Sequence, residues 1–272
     1  MDPLRLVVAA AALGVGACVG SFVNVLIWRL PRERSVVLPG SHCFCCGTPL
    51  AARDLVPVFS YLLGGRRCRY CGVPLGAQYA VVEALCALLY AALAWRWGPS
   101  ATFVAYAVAC AAMLAAFGTD LWFKIIPNAL NQTLLLTGLL GAVARGWWPT
   151  PREAGLPTLG QAVLGAAVGW LVFETVVRLG RWWFGQEAMG GGDVLLAGGI
   201  GALLGPGRWF GAFFLLSILT GALVGGGLLL TGRLKRREPM PFGPFMVLGA
   251  LAVMLWPELG GWVAGLYGFR AP

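Results

Sequence analysis

Residues 6–28 read LVVAAAALGVGACVGSFVNVLIW, an unbroken uncharged run. A helix needs about 20 mostly apolar residues to cross a hydrocarbon layer of roughly 30 Å, so this stretch alone commits the chain to a bilayer. Comparable runs recur at about 77–97, 100–119, 125–144, 158–177, 191–206, 209–231 and 242–266. They lack the two-residue alternation of barrel strands, and open sheet edges leave backbone groups unsatisfied in lipid, so the spans are helices. The predicted fold class is all-α, a polytopic membrane protein of eight transmembrane helices. Composition agrees: of 272 residues, 59% are hydrophobic and 11% charged, too little polar surface to coat a soluble globule. The first run ends in Ser21, Asn24 and Arg29 and not in a small-residue cleavage site, so it is read as a retained helix.

A net charge of +9 raises the question of nucleic acid, but the basic residues gather in connections and sort by side. Eight alternating spans place the arginines of 29–69, Lys124, Arg178, Arg181 and the basic residues of 233–237 together. Arg5, Arg96, Arg145, Arg152, Arg208 and Arg270 fall opposite. By the positive-inside rule the richer side is the cytoplasm, with both termini on the other face and no nucleic-acid partner required. The oligomeric state is not readable. Residues 30–76 form the one connection long enough to fold by itself. This divides the chain into a first transmembrane helix (1–29), a cytoplasmic cysteine-rich loop domain (30–76) and a seven-helix membrane domain (77–272). The sixth run is short and rich in glycine, so it either borrows flanking residues such as Gly190 to Asp193 or is broken. No internal repeat or low-complexity segment is evident.

Cys43, Cys46, Cys68 and Cys71 form two C-x-x-C pairs inside that loop. Two thiolate pairs at this spacing complete the closed tetrahedral sulfur site of structural zinc. A disulfide-stapled loop is the alternative, disfavoured in a reducing cytoplasm. Cys45 can replace a neighbour, and His42 is a weaker substitute. Four sulfur ligands leave no open position, so the expected Zn2+ organises the loop. Cys18, Cys86 and Cys110 read as buried apolar residues.

The aspartates are Asp2, Asp54, Asp120 and Asp193. Asp120 follows the third uncharged run and Asp193 opens the sixth through Gly190-Gly191-Gly192. Counting spans, both reach the same level of the membrane. Two carboxylates close together there cannot both ionise easily, so one keeps a proton, the requirement of an aspartyl protease. The pair titrates jointly, and neither member is assigned the acid role. For each residue alone an ordinary helix-end position is the alternative, Asp193 as a cap in particular. Glu83 lies inside the second run. Glu174 can pair with Arg178 at i, i+4, and Glu187 serves either the site or its loop.

Ser21-Phe22-Val23-Asn24-Val25-Leu26-Ile27-Trp28-Arg29-Leu30-Pro31, the paired C-x-x-C loop, Tyr79 with Glu83, Asp120 with Ile125-Ile126-Pro127-Asn128, the Gly190 to Asp193 segment and Pro241-Phe242-Gly243-Pro244 stand in order. Together they resemble the bacterial type IV prepilin peptidases. The resemblance implies that Asp120 and Asp193 are a catalytic pair and that Asn24, Glu83 and Gly190 to Gly192 belong to family motifs. It implies removal of a leader from type IV prepilins or pseudopilins at the inner membrane, with methylation of the new N-terminus by S-adenosylmethionine. Two positions depart from the family pattern: Ala80 stands for a proline and Leu195 for a frequent lysine. Gly198, Gly199 and Gly201 offer a small-residue face on which a substrate helix can pack. Without the resemblance, a transporter with intramembrane carboxylates and a non-enzymatic zinc-loop scaffold are the competing functions.

Overall fold

A computed structural model describes residues 3–148, 155–184, 189–233 and 240–266. The described residues are helical, with isolated bridges but no strand. The chain forms two compact units, residues 1–99 and 100–272. Among the described residues, five helices are long and apolar enough to cross a membrane, and two shorter apolar helices accompany them. The chain is a multi-pass membrane protein.

In the first unit, α1 (Pro3–Arg29) packs antiparallel on α3 (Gln78–Trp97). Buried Ala12, Gly16, Gly20, Val23 and Ile27 form one stripe on α1 at three- and four-residue spacing. Small residues let the backbones approach: a Cβ at Gly16 would lie 2.7 Å from that of Tyr90. Between the two helices lie α2 (Phe59–Leu63), two single 3-10 turns and the cysteine-rich loop.

The second unit contains α4 (Ala101–Phe123), α5 (Asn128–Ala144), α6 (Leu159–Phe184), α7 (Gly191–Leu204), α8 (Arg208–Leu230), α9 (Gly243–Leu255) and α10 (Glu258–Leu266). Helix α7 has 14 residues, about 21 Å at 1.5 Å per residue, which is short of a full span even though it takes in Gly191 to Asp193. It can be short because it is central: from Asp193 to Leu204 every residue but Leu195 is buried. Gly165 of α6 meets Gly201 of α7 so closely that a Cβ on either would collide with the other's backbone. Gly199 faces Leu134 of α5 in the same manner.

The predicted eighth span over 242–266 is two helices, divided at Trp256-Pro257. Pro257 has no N–H to continue the ladder and pushes the preceding residue out of the helical region, and Trp256 sits at φ −126°, ψ 74°. Hydropathy is blind to this break because both halves are apolar.

Candidate active site

Asp120 lies in the last turn of α4, which stops where Lys124 turns left-handed and its N–H bonds back to the Asp120 carbonyl. The carboxyl is buried, 5% exposed, and its Oδ2 accepts the N–H of Gly243 at 2.8 Å. Gly243 is the first residue of α9, so Asp120 satisfies one of the N–H groups that every helix start leaves open and sits at the positive end of the dipole. A Cβ on Gly243 would be 2.7 Å from that same Oδ2. Glycine is required there by the closeness of the carboxylate.

Asp193 occupies the first turn of α7 and is 7% exposed. Its Oδ2 accepts the N–H of Gly190 at 3.2 Å, so it does cap its own helix. Capping engages one oxygen only: Oδ1 is buried with no hydrogen-bond partner among the described residues. The two carboxylates are close enough to repel each other. Ile126 packs between the elements that carry them, against Gly192 on one side and Gly243 on the other. Buried Asn131 of α5 donates to the Gly192 carbonyl at 3.3 Å, tying the glycine approach to α5. The structure therefore brings Asp120, Asp193 and Gly190 to Gly192 into one locus of the second unit. Glu187 lies outside the described residues.

Sequence reading missed Gly243 as the donor to Asp120, and Asn131 altogether. A polar residue one turn after Pro127-Asn128 on an otherwise apolar helix was the available signal for the latter. The glycine face proposed for a substrate helix is corrected: Gly199 and Gly201 are taken up by α5 and α6, and Gly198 faces Ala166 and Trp170. Glu174 bonds Arg178 at 2.8 Å, the helix pair expected from its spacing.

In the first unit, the Sγ atoms of Cys43, Cys46, Cys68 and Cys71 all lie within 4.8 Å of one another. Cys43 and Cys71 are 3.8 Å apart, close to the edge of a tetrahedron with Zn–S bonds of about 2.3 Å and far beyond the roughly 2.05 Å of a disulfide. Cys45 is exposed and outside the group. The His42 ring nitrogen is engaged by the Gly40 carbonyl. Each pair is a knuckle: the N–H of Gly47 bonds the Cys43 carbonyl and that of Gly72 the Cys68 carbonyl, with both glycines at positive φ. Cys43 and Cys68 donate in turn to the carbonyls of Thr48 and Val73.

The two knuckles repeat Cys-x-x-Cys-Gly-x-Pro-Leu over 43–50 and 68–75, an internal repeat that the sequence reading overlooked. Hydrogen bonding with Thr48 holds the Cys46 thiol down at about 6. The Val73 N–H favours the Cys71 thiolate, yet burial and the neighbouring thiols push that group up to about 12. Four thiols so close cannot all ionise unaided, and a divalent cation that displaces their protons fits the donor set. Asp54, for which the sequence offered no role, braces the second knuckle through the Tyr70 hydroxyl at 2.8 Å and Arg69 at 3.0 Å. Tyr70 first, then the Ala51 N–H and Arg69, hold its carboxyl below the usual range.

Asn24 and Glu83 also fall in the first unit. Asn24 donates to the carbonyls of Tyr79 at 3.1 Å and Gly20 at 3.3 Å, joining α1 to α3. Glu83, 8% exposed, accepts the Val58 N–H at 2.7 Å and a bond from Ser21.

Comparison with known proteins covers both units. The bacterial peptidase A24 N-terminal domain matches residues 15–97, and the type IV leader peptidase family matches residues 107–226. Proteins named prepilin leader peptidase/N-methyltransferase are similar along nearly the whole chain. That of Xanthomonas campestris pv. campestris is 31% identical over 90% of each chain. That of Pseudomonas putida is 33% identical over 95% of this chain and 93% of its own, and that of Bacillus subtilis 32% over 89% and 92%. No solved structure matches the chain significantly. With both halves matched in order and full-length relatives above 30% identity, the chain belongs to the type IV leader peptidase family.

Proposed function

We propose that this protein is an aspartyl endopeptidase that removes the leader of type IV prepilins or pseudopilins at the cytoplasmic face of the inner membrane, and methylates the new N-terminus. The observation that carries the reading is the convergence of two buried carboxylates, Asp120 and Asp193, from different helices of one unit.

Asp120 and Asp193 are the catalytic pair, holding one proton between them. The ionised member takes a proton from the attacking water. The protonated member hydrogen-bonds the scissile carbonyl and later supplies the proton that the leaving amine needs. The Gly243 and Gly190 N–H groups each fix one carboxyl oxygen, and the buried Oδ1 of Asp193 is left without a hydrogen-bond partner among the described residues. Gly191 has open space where a Cβ would stand, which gives an extended peptide room beside the acid.

Residues 30–76 form the zinc-binding domain, with Cys43, Cys46, Cys68 and Cys71 as the ligands. When bound there, Zn2+ cross-links the two knuckles with no open coordination position. S-adenosylmethionine, when bound, would supply the methyl group to the deprotonated N-terminal amine. The excess of basic residues in the loops supports a cytoplasmic position for residues 30–76 and the carboxylates.

The test is incubation of purified protein with a prepilin, read by mass spectrometry. Loss of the leader mass in the native protein and none in Asp120→Asn or Asp193→Asn supports the assignment. Cleavage by either variant at the native rate overturns it.

A further inference from the structure

At the end of α7 away from Asp193, the second unit holds a cavity of about 280 Å3 that the peptidase chemistry leaves unused. The end of α5, the lead-in to α6, the α7–α8 turn and the start of α8 frame it. Buried Leu156 and Leu204 give it an apolar base. Gly205, at φ +74°, carries the turn so close to the lead-in that a Cβ there would stand 3.3 Å from that of Pro157. Arg145 and Arg208 line the same cavity from different elements, and no carboxylate among the described residues lines it. Neither arginine has an acidic partner among the described residues; Arg208 lies over the ring of Trp209, 5.6 Å from its centre. Gln161 accepts the Thr158 N–H and hydroxyl through Oε1, which leaves its amide N–H groups as further donors. Helix α8 begins here with no side-chain cap, so the positive end of its dipole adds to the two guanidinium charges.

Donors without acceptors, positive charge without a counter-charge and a partly apolar wall together call for an anion with an apolar body. Phosphate oxygens match guanidinium forks and a helix start alike. The cavity lies where four apolar helices begin or end, and Trp147, two residues beyond Arg145, is 90% exposed, the habit of tryptophan at a membrane–water boundary. We propose that this cavity binds the phosphate headgroup of an anionic phospholipid, in the leaflet opposite Asp120 and Asp193, through Arg145 and Arg208. Its volume is below the roughly 300–1,000 Å3 of pockets that enclose a whole small ligand, so it takes the headgroup and leaves the acyl chains in the bilayer. A zwitterionic headgroup brings an ammonium toward two guanidinium groups and is disfavoured; a phosphoglycerol headgroup has no such charge. The bound lipid ties the ends of α5 and α7 to the start of α8 and is a stabilising partner, remote from the acid pair.

Delipidated full-length protein in a neutral detergent is titrated with phosphatidylglycerol, with phosphatidylcholine of the same chains and with inorganic phosphate, and bound molecules are counted by native mass spectrometry. The expected results are one tightly held phosphatidylglycerol per chain, phosphatidylcholine at least about tenfold weaker, and affinity for phosphatidylglycerol lowered about tenfold or more when Arg145→Gln and Arg208→Gln are combined. Arg34→Gln combined with Arg53→Gln removes the same charge elsewhere and should bind as the native protein does. Equal affinity for the two lipids, native affinity in the Arg145/Arg208 variant, or an equal loss in the Arg34/Arg53 variant overturns the proposal. Inorganic phosphate bound as tightly as the lipid makes this a site for a soluble anion and overturns it too. A photoactivatable phosphatidylglycerol, irradiated with the native protein, should label residues 155–161 or 204–209, and label confined to other segments overturns the proposal even where the double variant fails to fold. None of these readouts depends on leader cleavage, so the peptidase reading and the lipid site stand or fall separately.

Discussion

Gly243→Ala places a methyl group 2.7 Å from Oδ2 of Asp120 and 3.2 Å from Cδ1 of Ile126. An ordinary carbon–oxygen contact begins near 3.4 Å, so the carboxylate and the start of α9 must separate by about 0.7 Å. That lengthens the 2.8 Å hydrogen bond that fixes Asp120 and moves one acid of the pair relative to the other. A misplacement of about 1 Å in a positioned catalytic group costs on the order of 100-fold, so kcat/KM for leader removal should fall about 10- to 100-fold, or about 1.4–2.7 kcal/mol of transition-state stabilisation. Weakening a hydrogen bond to a charged group adds up to about 1.5–3 kcal/mol of lost stability. The assay is time-resolved cleavage of a prepilin with the thermal melt of each variant beside it. Gly211→Ala is the control, because nothing lies within 4 Å of its added methyl. It should keep native activity and gain a few tenths of a kcal/mol from reduced chain entropy. A folded Gly243→Ala with native kcat/KM would refute the view that this contact positions Asp120.

Asp120→Asn and Asp193→Asn should each lower cleavage by about 100- to 10,000-fold, the worth of a general acid or base; a discontinuous prepilin assay checks this, and a loss under threefold in either speaks against a paired mechanism. Cys68→Ser should lower bound zinc and expose residues 30–76 to protease, with metal analysis and limited proteolysis as readouts; full zinc occupancy in the variant would remove Cys68 from the ligand set. Gly72→Ala, at φ +73°, should weaken the second knuckle by about 1–2 kcal/mol through backbone strain alone, seen as faster zinc loss to a chelator, and a native loss rate contradicts the knuckle geometry. Gly165→Ala sets a carbon 2.2 Å from the Gly201 carbonyl oxygen, so the second unit should melt at markedly lower temperature, and an unchanged melt would mean that α6 and α7 pack otherwise.

Much of this architecture is written in hydropathy. Seven of the uncharged runs become single helices at nearly their expected limits, because an apolar stretch in lipid has one way to satisfy its backbone. The break at Trp256-Pro257 escaped because hydropathy averages over a proline. The four-cysteine cluster was legible from spacing, but its Gly-x-Pro-Leu continuation, which makes two copies of one knuckle, was not noticed. The meeting of Asp120 and Asp193 followed from counting spans, a topological inference that needs no distance. The partners of those acids did not follow. Gly243 lies 123 positions from Asp120, and only a tertiary contact turns its N–H into a ligand for a carboxylate. The glycines of α7 carried the opposite lesson: small residues mark close packing, but not whether the neighbour is a substrate or the protein's own helices.

The enclosure of α7 bears on how this protein meets membranes of different thickness. Lipid acts on the exposed flanks of helices such as α8, where a thicker or thinner layer is accommodated by tilt. Helix α7 presents chiefly Leu195 outward, and its height is set by glycine contacts with α5 and α6. Asp193 therefore holds its depth by protein contacts and not by the surrounding acyl chains, which suits the proposed role of an acid that reaches a peptide bond at one fixed level in every bilayer the cell makes.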